Sequence, residues 1–166
     1  MVNNKQLQDI ANILRRDVLK MTTEAGSGHP TTCLSCAEIM SVLFFNEMKY
    51  DLKDPHNPNS DEFILSKGHA APVLYSSLYR VGVVKESLLN LRKFGSIYEG
   101  HPVPSSFKWV KVATGSLGQG LSVGIGMALA ARIQKRNFRT YVLMGDGEAA
   151  EGSVYEALQL AAYYKL

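Results

Sequence analysis

The stretch YVLMGDGEAAEGSVYEALQLAAYYKL, residues 141–166, decides how this chain is to be read. Its apolar run, 141–144, ends on Gly145-Asp146-Gly147, and apolar residues then recur at helical spacing over 152–164. An aspartate held between two glycines, at the turn from a strand into a helix, is an arrangement suited to holding a ligand.

Two ligands compete for that turn. Gly145, Gly147 and Ala150 fit the dinucleotide pattern G-x-G-x-x-G/A. That motif needs a second strand carrying an acidic residue about twenty positions further on, which residues up to 166 do not supply. Asp146 would also repel a naked pyrophosphate. A carboxylate and a diphosphate share a site when a divalent cation lies between them, and Mg²⁺ is commonly held by one or two carboxylates plus phosphate oxygens. The residues therefore point to a metal-bridged diphosphate.

Outward from the turn, helices alternate with short apolar strands. Leu7, Ile10, Ala11, Leu14 and Val18 predict a helix over 4–20. Pro30 suits the first turn of a second helix, predicted to run to 48. Residues 51–60 (DLKDPHNPNS) read as a surface loop. There follow a strand over 61–65, a loop over 66–70, a helix over 72–79 and a short helix over 87–94 stopped by Gly95. A helix over 119–135 and a strand over 139–144 lead back to the opening stretch. This order predicts an α/β layer fold with a parallel sheet. No internal repeat, low-complexity segment or dividing linker interrupts it.

With 166 residues, 46% hydrophobic and 20% charged, the chain has the makings of one globular domain with a real core. A net charge of +3 from scattered Lys and Arg lacks the concentrated basic face of a nucleic-acid binder. The N-terminus, MVNNKQLQDI, has no signal-peptide apolar region. The small-apolar run 121–131 is closed by Arg132 and is too short to span a bilayer. A cytoplasmic protein without membrane or nucleic-acid partners is the expectation.

Three of the four histidines directly follow glycine, as Gly28-His29, Gly68-His69 and Gly100-His101, each in a predicted loop. Imidazole donates to phosphate or hydroxyl near neutral pH, or moves a proton. His56, in the polar loop, reads as solvated. The segment TGSLGQGLSVGIGMALA is no P-loop, since no Lys-Ser or Lys-Thr follows its glycines. Residues 115–118 form a flexible entry to a helix N-terminus that favours anions or close backbone contact. Gly120, Gly124, Ala128 and Ala131 then make a small-residue stripe suited to close packing. Cys33 and Cys36 form a C-x-x-C pair with no further cysteine for a zinc site, and they read as packed core thiols in a helix.

Taken together, AGSGHP, SKGHAAPVLYSSL, EGHP, TGSLGQGLSVGIGMALAA and VLMGDGEAAEGSVYEALQLAAYYKL resemble the N-terminal, diphosphate-binding part of transketolases, above all the N-terminal subunit of split transketolases. The resemblance runs from residue 14 to 166. It implies a three-layer fold, a parallel sheet flanked by helices, that binds thiamine diphosphate with Mg²⁺ or Ca²⁺. It implies Asp146 as metal ligand and Gly147 as a backbone N–H donor to the diphosphate. His69 reaches the diphosphate, and Gly115 and Leu117 line the cofactor pocket. His29 and His101 are the implied catalytic groups facing the thiazolium and the sugar, and Glu151 links the two cofactor sites of a homodimer. The implied reaction moves a two-carbon ketol unit from a ketose phosphate to an aldose phosphate, as in the pentose phosphate pathway. It uses the carbanion that the thiamine ylid stabilises.

The resemblance also puts a second metal ligand, an asparagine, beyond residue 166, with the pyrimidine-binding domain and most of the sugar-phosphate arginines. Residues 1–166 are therefore expected to be a partial diphosphate-binding domain with no second domain, needing a C-terminal transketolase section in trans. The alternatives are an inactive fragment serving as an association module, or a piece of a deoxyxylulose-phosphate-synthase-like enzyme. The forms TGSLGQG and SKGHAAP lean toward transketolase. A sheet cut short would leave an open edge, predicting poor solubility or oligomers.

Overall fold

The apolar run before the GDG turn is a strand, β2 (Thr140–Leu143). It pairs in parallel with β1 (Glu62–Leu65), in register from Glu62 opposite Thr140 to Leu65 opposite Leu143. The computed structural model describes residues 2–166. Successive side chains of a strand point to opposite faces, and here the alternation divides the molecule. Phe63, Leu65 and Leu143 pack into the main apolar core, while Ile64 and Val142 face the other way, against Gly124. The sheet is the middle of three layers, an α/β fold with a parallel sheet flanked by helices.

The core layer holds α1 (Asn4–Ala25), α2 (Pro30–Leu34), α3 (Ala37–Val42) and α4 (Ala71–Arg80). Helix α1 buries Ala11, Leu14, Val18 and Met21, three or four residues apart, as an amphipathic helix must. It runs past the predicted 20 to Ala25 and ends on Gly26 in the left-handed conformation. Its start is fixed by a capping box between Asn3 and Gln6. Helix α4 is the hub, buried from Ala71 through Leu78. Asp17 is buried between these two helices, accepting from Arg80 Nε and Nη2 at 2.7 Å each and from Ser76 Oγ at 2.9 Å. The bidentate pair with its third donor answers the cost of burying that charge.

On the other side, α5 (Gln119–Ile133) packs on both strands and α6 (Gly152–Tyr164) packs on α5. The small-residue stripe explains the closeness. A Cβ at Gly124 would overlap Val142, and one at Gly120 would lie 2.8 Å from the Ser66 Cα.

Two predicted helices are corrected. The single helix over 30–48 is α2, a break at Ser35-Cys36, α3, and a π-type turn over Leu43–Glu47. At the break, Ser35 Oγ donates to the Thr32 carbonyl at 2.9 Å and the Lys67 ammonium donates to the same carbonyl at 3.0 Å. Side chains that claim backbone carbonyls compete with the helix ladder. Cys33, in α2, and Cys36, in the break itself, are free core thiols; burial pushes the Cys33 thiol up to about 12. The helix over 87–94 is only a 3₁₀ turn, Leu88–Asn90. Arg92 follows in the left-handed region (φ 59°), its N–H bonded to the Tyr98 carbonyl at 2.8 Å.

Candidate functional site

An open cleft of about 680 Å³ lies at the carboxyl ends of β1 and β2, where α/β sheets bind their ligands. One wall is the turn leaving β2, with Met144, Gly145, Asp146, Gly147 and Glu148. The other comes from the segment leaving β1, with Lys67 and His69, and from α2 and the break after it, with Thr31, Thr32, Ser35 and Cys36. Leu117, from the entry to α5, completes the rim.

The β1 segment is held by backbone contact. A Cβ on Gly68 would overlap the Thr114 carbonyl, so glycine is required where the β1 exit crosses the approach to α5. The crossing turns His69 into the cleft. Burial first, then the charges of His29, Lys67 and His101, push the His69 imidazole below its ordinary value, with Glu148 opposing. The rings of His29 and His69 meet edge to face, centroids 5.4 Å apart. His101 lies against Gly115, its ring Cγ within 3.9 Å of where a Cβ there would be. Burial, then Arg92 and His29, lower the His101 imidazole as well. Arg92 Nη1 donates to Ser27 Oγ at 2.6 Å, and its guanidinium packs against Gly100. The arginine thus ties the His29 loop to the His101 loop.

Of the residues singled out in the sequence, His69, Leu117, Asp146 and Gly147 line the cleft. His29 joins them through His69, and His101 and Gly115 sit together. Glu151 stands apart, exposed at the N-terminus of α6 beside Gly118. Two residues of the cleft wall, and a third buried behind it, escape sequence reasoning. Lys67 is buried, and its Nζ spans Thr32 O and Ser35 Oγ. Glu148 is buried and bonded to Ser66 Oγ, and to the Gly118 and Gly145 N–H groups at 2.9 and 3.0 Å. Ser66 is the third. Their signal was adjacency: Ser66 and Lys67 precede Gly68-His69, and Glu148 follows the GDG.

The donor set suits a diphosphate. Among the described residues, no protein acceptor faces the Asp146 and Gly147 N–H groups, and a buried ammonium and an imidazole stand across from them. For a cation, the described residues bring no three of His, Cys, Asp or Glu together. Of the two carboxylates lining the cleft, Glu148 is engaged, and Asp146, exposed at the turn, has no ion pair among the described residues. That fits a metal completed by phosphate oxygens and further ligands.

Comparison with known proteins shows the family. A family described as "Transketolase, thiamine diphosphate binding domain" matches residues 6–166. Human transketolase is 54% identical over 162 residues, spanning 96% of this chain and 26% of that protein. One of the apulose-4-phosphate transketolase subunits of Phocaeicola vulgatus is 41% identical over 169 residues, spanning 99% of this chain and 58% of its own length. The crystal structure of transketolase from Campylobacter jejuni superposes with a TM-score of 0.92 at 38% identity, covering 99% of this chain and 27% of that one. The chain spans about a quarter of the length of the full transketolases it matches. By its layered fold, by the cleft at its strand ends and by a family match over nearly its whole length, this chain belongs to the transketolase family, as a thiamine-diphosphate-binding domain.

Proposed function

We propose that this chain is the diphosphate-binding section of a transketolase. Joined to a C-terminal section, it transfers a two-carbon ketol unit from a ketose phosphate to an aldose phosphate. The observation that carries the reading is the pairing of unengaged Asp146 and Gly147 N–H groups with Lys67 and His69 across one cleft. In this reading the Gly147 N–H and His69 would hold the diphosphate of thiamine diphosphate, and Asp146 would be a ligand of the accompanying Mg²⁺ or Ca²⁺. Gly115 and Leu117 line the cofactor pocket. Bound there, the thiazolium supplies the carbanion-stabilising chemistry of the reaction. His29 and His101 face the reacting sugar and move protons; their loops stay in reach of one another through Arg92. His101, lowered by burial and by Arg92, is neutral near pH 7 and so able to accept a proton. Glu151 reaches the second cofactor site of a homodimer.

The partners in this reading are sugar phosphates, a second copy and the C-terminal section. The open edge of β2 and the exposed apolar residues of α6, among them Tyr155, Leu158 and Tyr163, are where that section docks. The same face supports a second reading, an association module without catalysis. Calorimetry separates them. Thiamine diphosphate is expected to bind in the presence of Mg²⁺ once a transketolase C-terminal section is added. No binding with or without that section overturns the enzyme reading. No helix among the described residues is long and apolar enough to cross a membrane.

A further inference from the structure

Glu148 has no part in the roles above, yet it is a carboxylate sealed into the wall of the cleft, 2% exposed. Its Oε1 accepts from Ser66 Oγ and from the Gly118 N–H at 2.9 Å, and its Oε2 accepts from the Gly145 N–H at 3.0 Å. The three donors come from three segments: the exit of β1, the entry to α5 and the exit of β2. No ion pair among the described residues includes it. It holds its place through neutral donors alone, as an anion does at a helix entry. The arrangement also divides the backbone donors of the cleft. The Gly118 and Gly145 N–H groups are taken internally, and those of Asp146 and Gly147 face no protein acceptor among the described residues.

We propose that Glu148 is the positioning residue of the GDG turn: its carboxylate locks Gly145 to Gly118 and Ser66, and so holds Asp146 and the Gly147 N–H toward the ligand. The inference rests on the diphosphate reading of the cleft. The lock needs a group that accepts on both oxygens. Glutamine has the same shape but one acceptor oxygen and two N–H donors. In Glu148→Gln, whichever way the amide turns, at least one of the three donors meets another donor.

The test compares wild type, Glu148→Gln and Asp17→Asn. The last breaks the buried contact with Arg80 away from the cleft and serves as a destabilised control. Amide hydrogen exchange on the full chain, without ligand, is expected to accelerate at Gly145 or Gly118 in Glu148→Gln while β1 and β2 amides keep wild-type rates. Mg²⁺-dependent thiamine diphosphate affinity, measured with the C-terminal section present, is expected to fall about 10- to 100-fold in Glu148→Gln, as for groups that orient metal ligands. Asp17→Asn is expected to melt lower yet bind like wild type. The proposal is overturned if Glu148→Gln keeps slow exchange at both glycines, or if affinity in both variants simply follows the loss of melting temperature. A wild type that binds no thiamine diphosphate sinks the cofactor reading alone, and the exchange rates then decide whether Glu148 locks the turn.

Discussion

Two imidazoles near the cleft, His69 and His101, share one physical condition: burial and neighbouring positive charge hold both below their ordinary value. For His101 the charge that matters after burial is Arg92. Arg92→Gln is therefore expected to raise the His101 titration midpoint, followed by its ring proton shift in NMR; an unchanged midpoint removes Arg92 from the account. The same condition has a consequence for stability. Unfolded, these histidines take up protons from about pH 6.5, whereas folded they do so only at lower pH. Between those values the unfolded chain holds more protons, so stability rises with pH. The contribution is complete above about pH 6.5 and drains as pH falls through the folded values. The melting temperature is expected to drop on acidification from about pH 7 to about pH 5, and to drop less in a His69→Gln, His101→Gln variant. An identical drop in that variant assigns the acid sensitivity to other groups.

Elements announced by a single period are those the sequence shows. The apolar spacing of α1, the runs of β1 and β2 and the helical patterns of α5 and α6 all appear within a few residues of their expected bounds. What periodicity misses is set by contacts from far along the chain. The Ser35-Cys36 break depends on Lys67, and the loss of the helix over 87–94 depends on Arg92 reaching Ser27 and Tyr98. Within the site, the GDG turn and the Gly-His loops were legible because their residue types are unusual in sequence. Glu148 was not, because its meaning lies in partners at 66 and 118. The joint between α5 and α6 makes an element-scale prediction. Gly118 caps α5 at φ 83°, and a Cβ there would press Ser153 Oγ and lie 3.1 Å from the Glu151 Cβ. Gly118→Ala is expected to cost about 1–3 kcal/mol from the left-handed strain and the overlap. Urea denaturation reads this, and a midpoint equal to wild type would show that the joint yields freely.

For the whole molecule, the two sides of the sheet are finished to different degrees. The side toward α1 and α4 closes over large buried side chains, Tyr75, Leu14, Met21 and Leu78 among them. The other side is apolar but open. Helix α5 carries few polar residues yet buries only Gly120, Gly124, Ile125 and Ala131. All four residues of β2 are partly exposed, and Tyr155 and Tyr163 of α6 are 59% and 78% exposed. A helix apolar all round belongs inside a protein, and an unpaired strand edge is a template for another chain. The chain by itself is therefore expected to self-associate through this face. Sedimentation velocity on the chain alone should show oligomers, and a monodisperse monomer counts against the face as an interface. Tyr155→Lys with Tyr163→Lys puts two charges on it where little core packing is lost. This pair should shift the distribution to monomer and leave the melting temperature nearly unchanged, because neither ring is buried. Should the doubly substituted chain associate as wild type does, the contact lies elsewhere, and the docking site proposed for the C-terminal section moves with it.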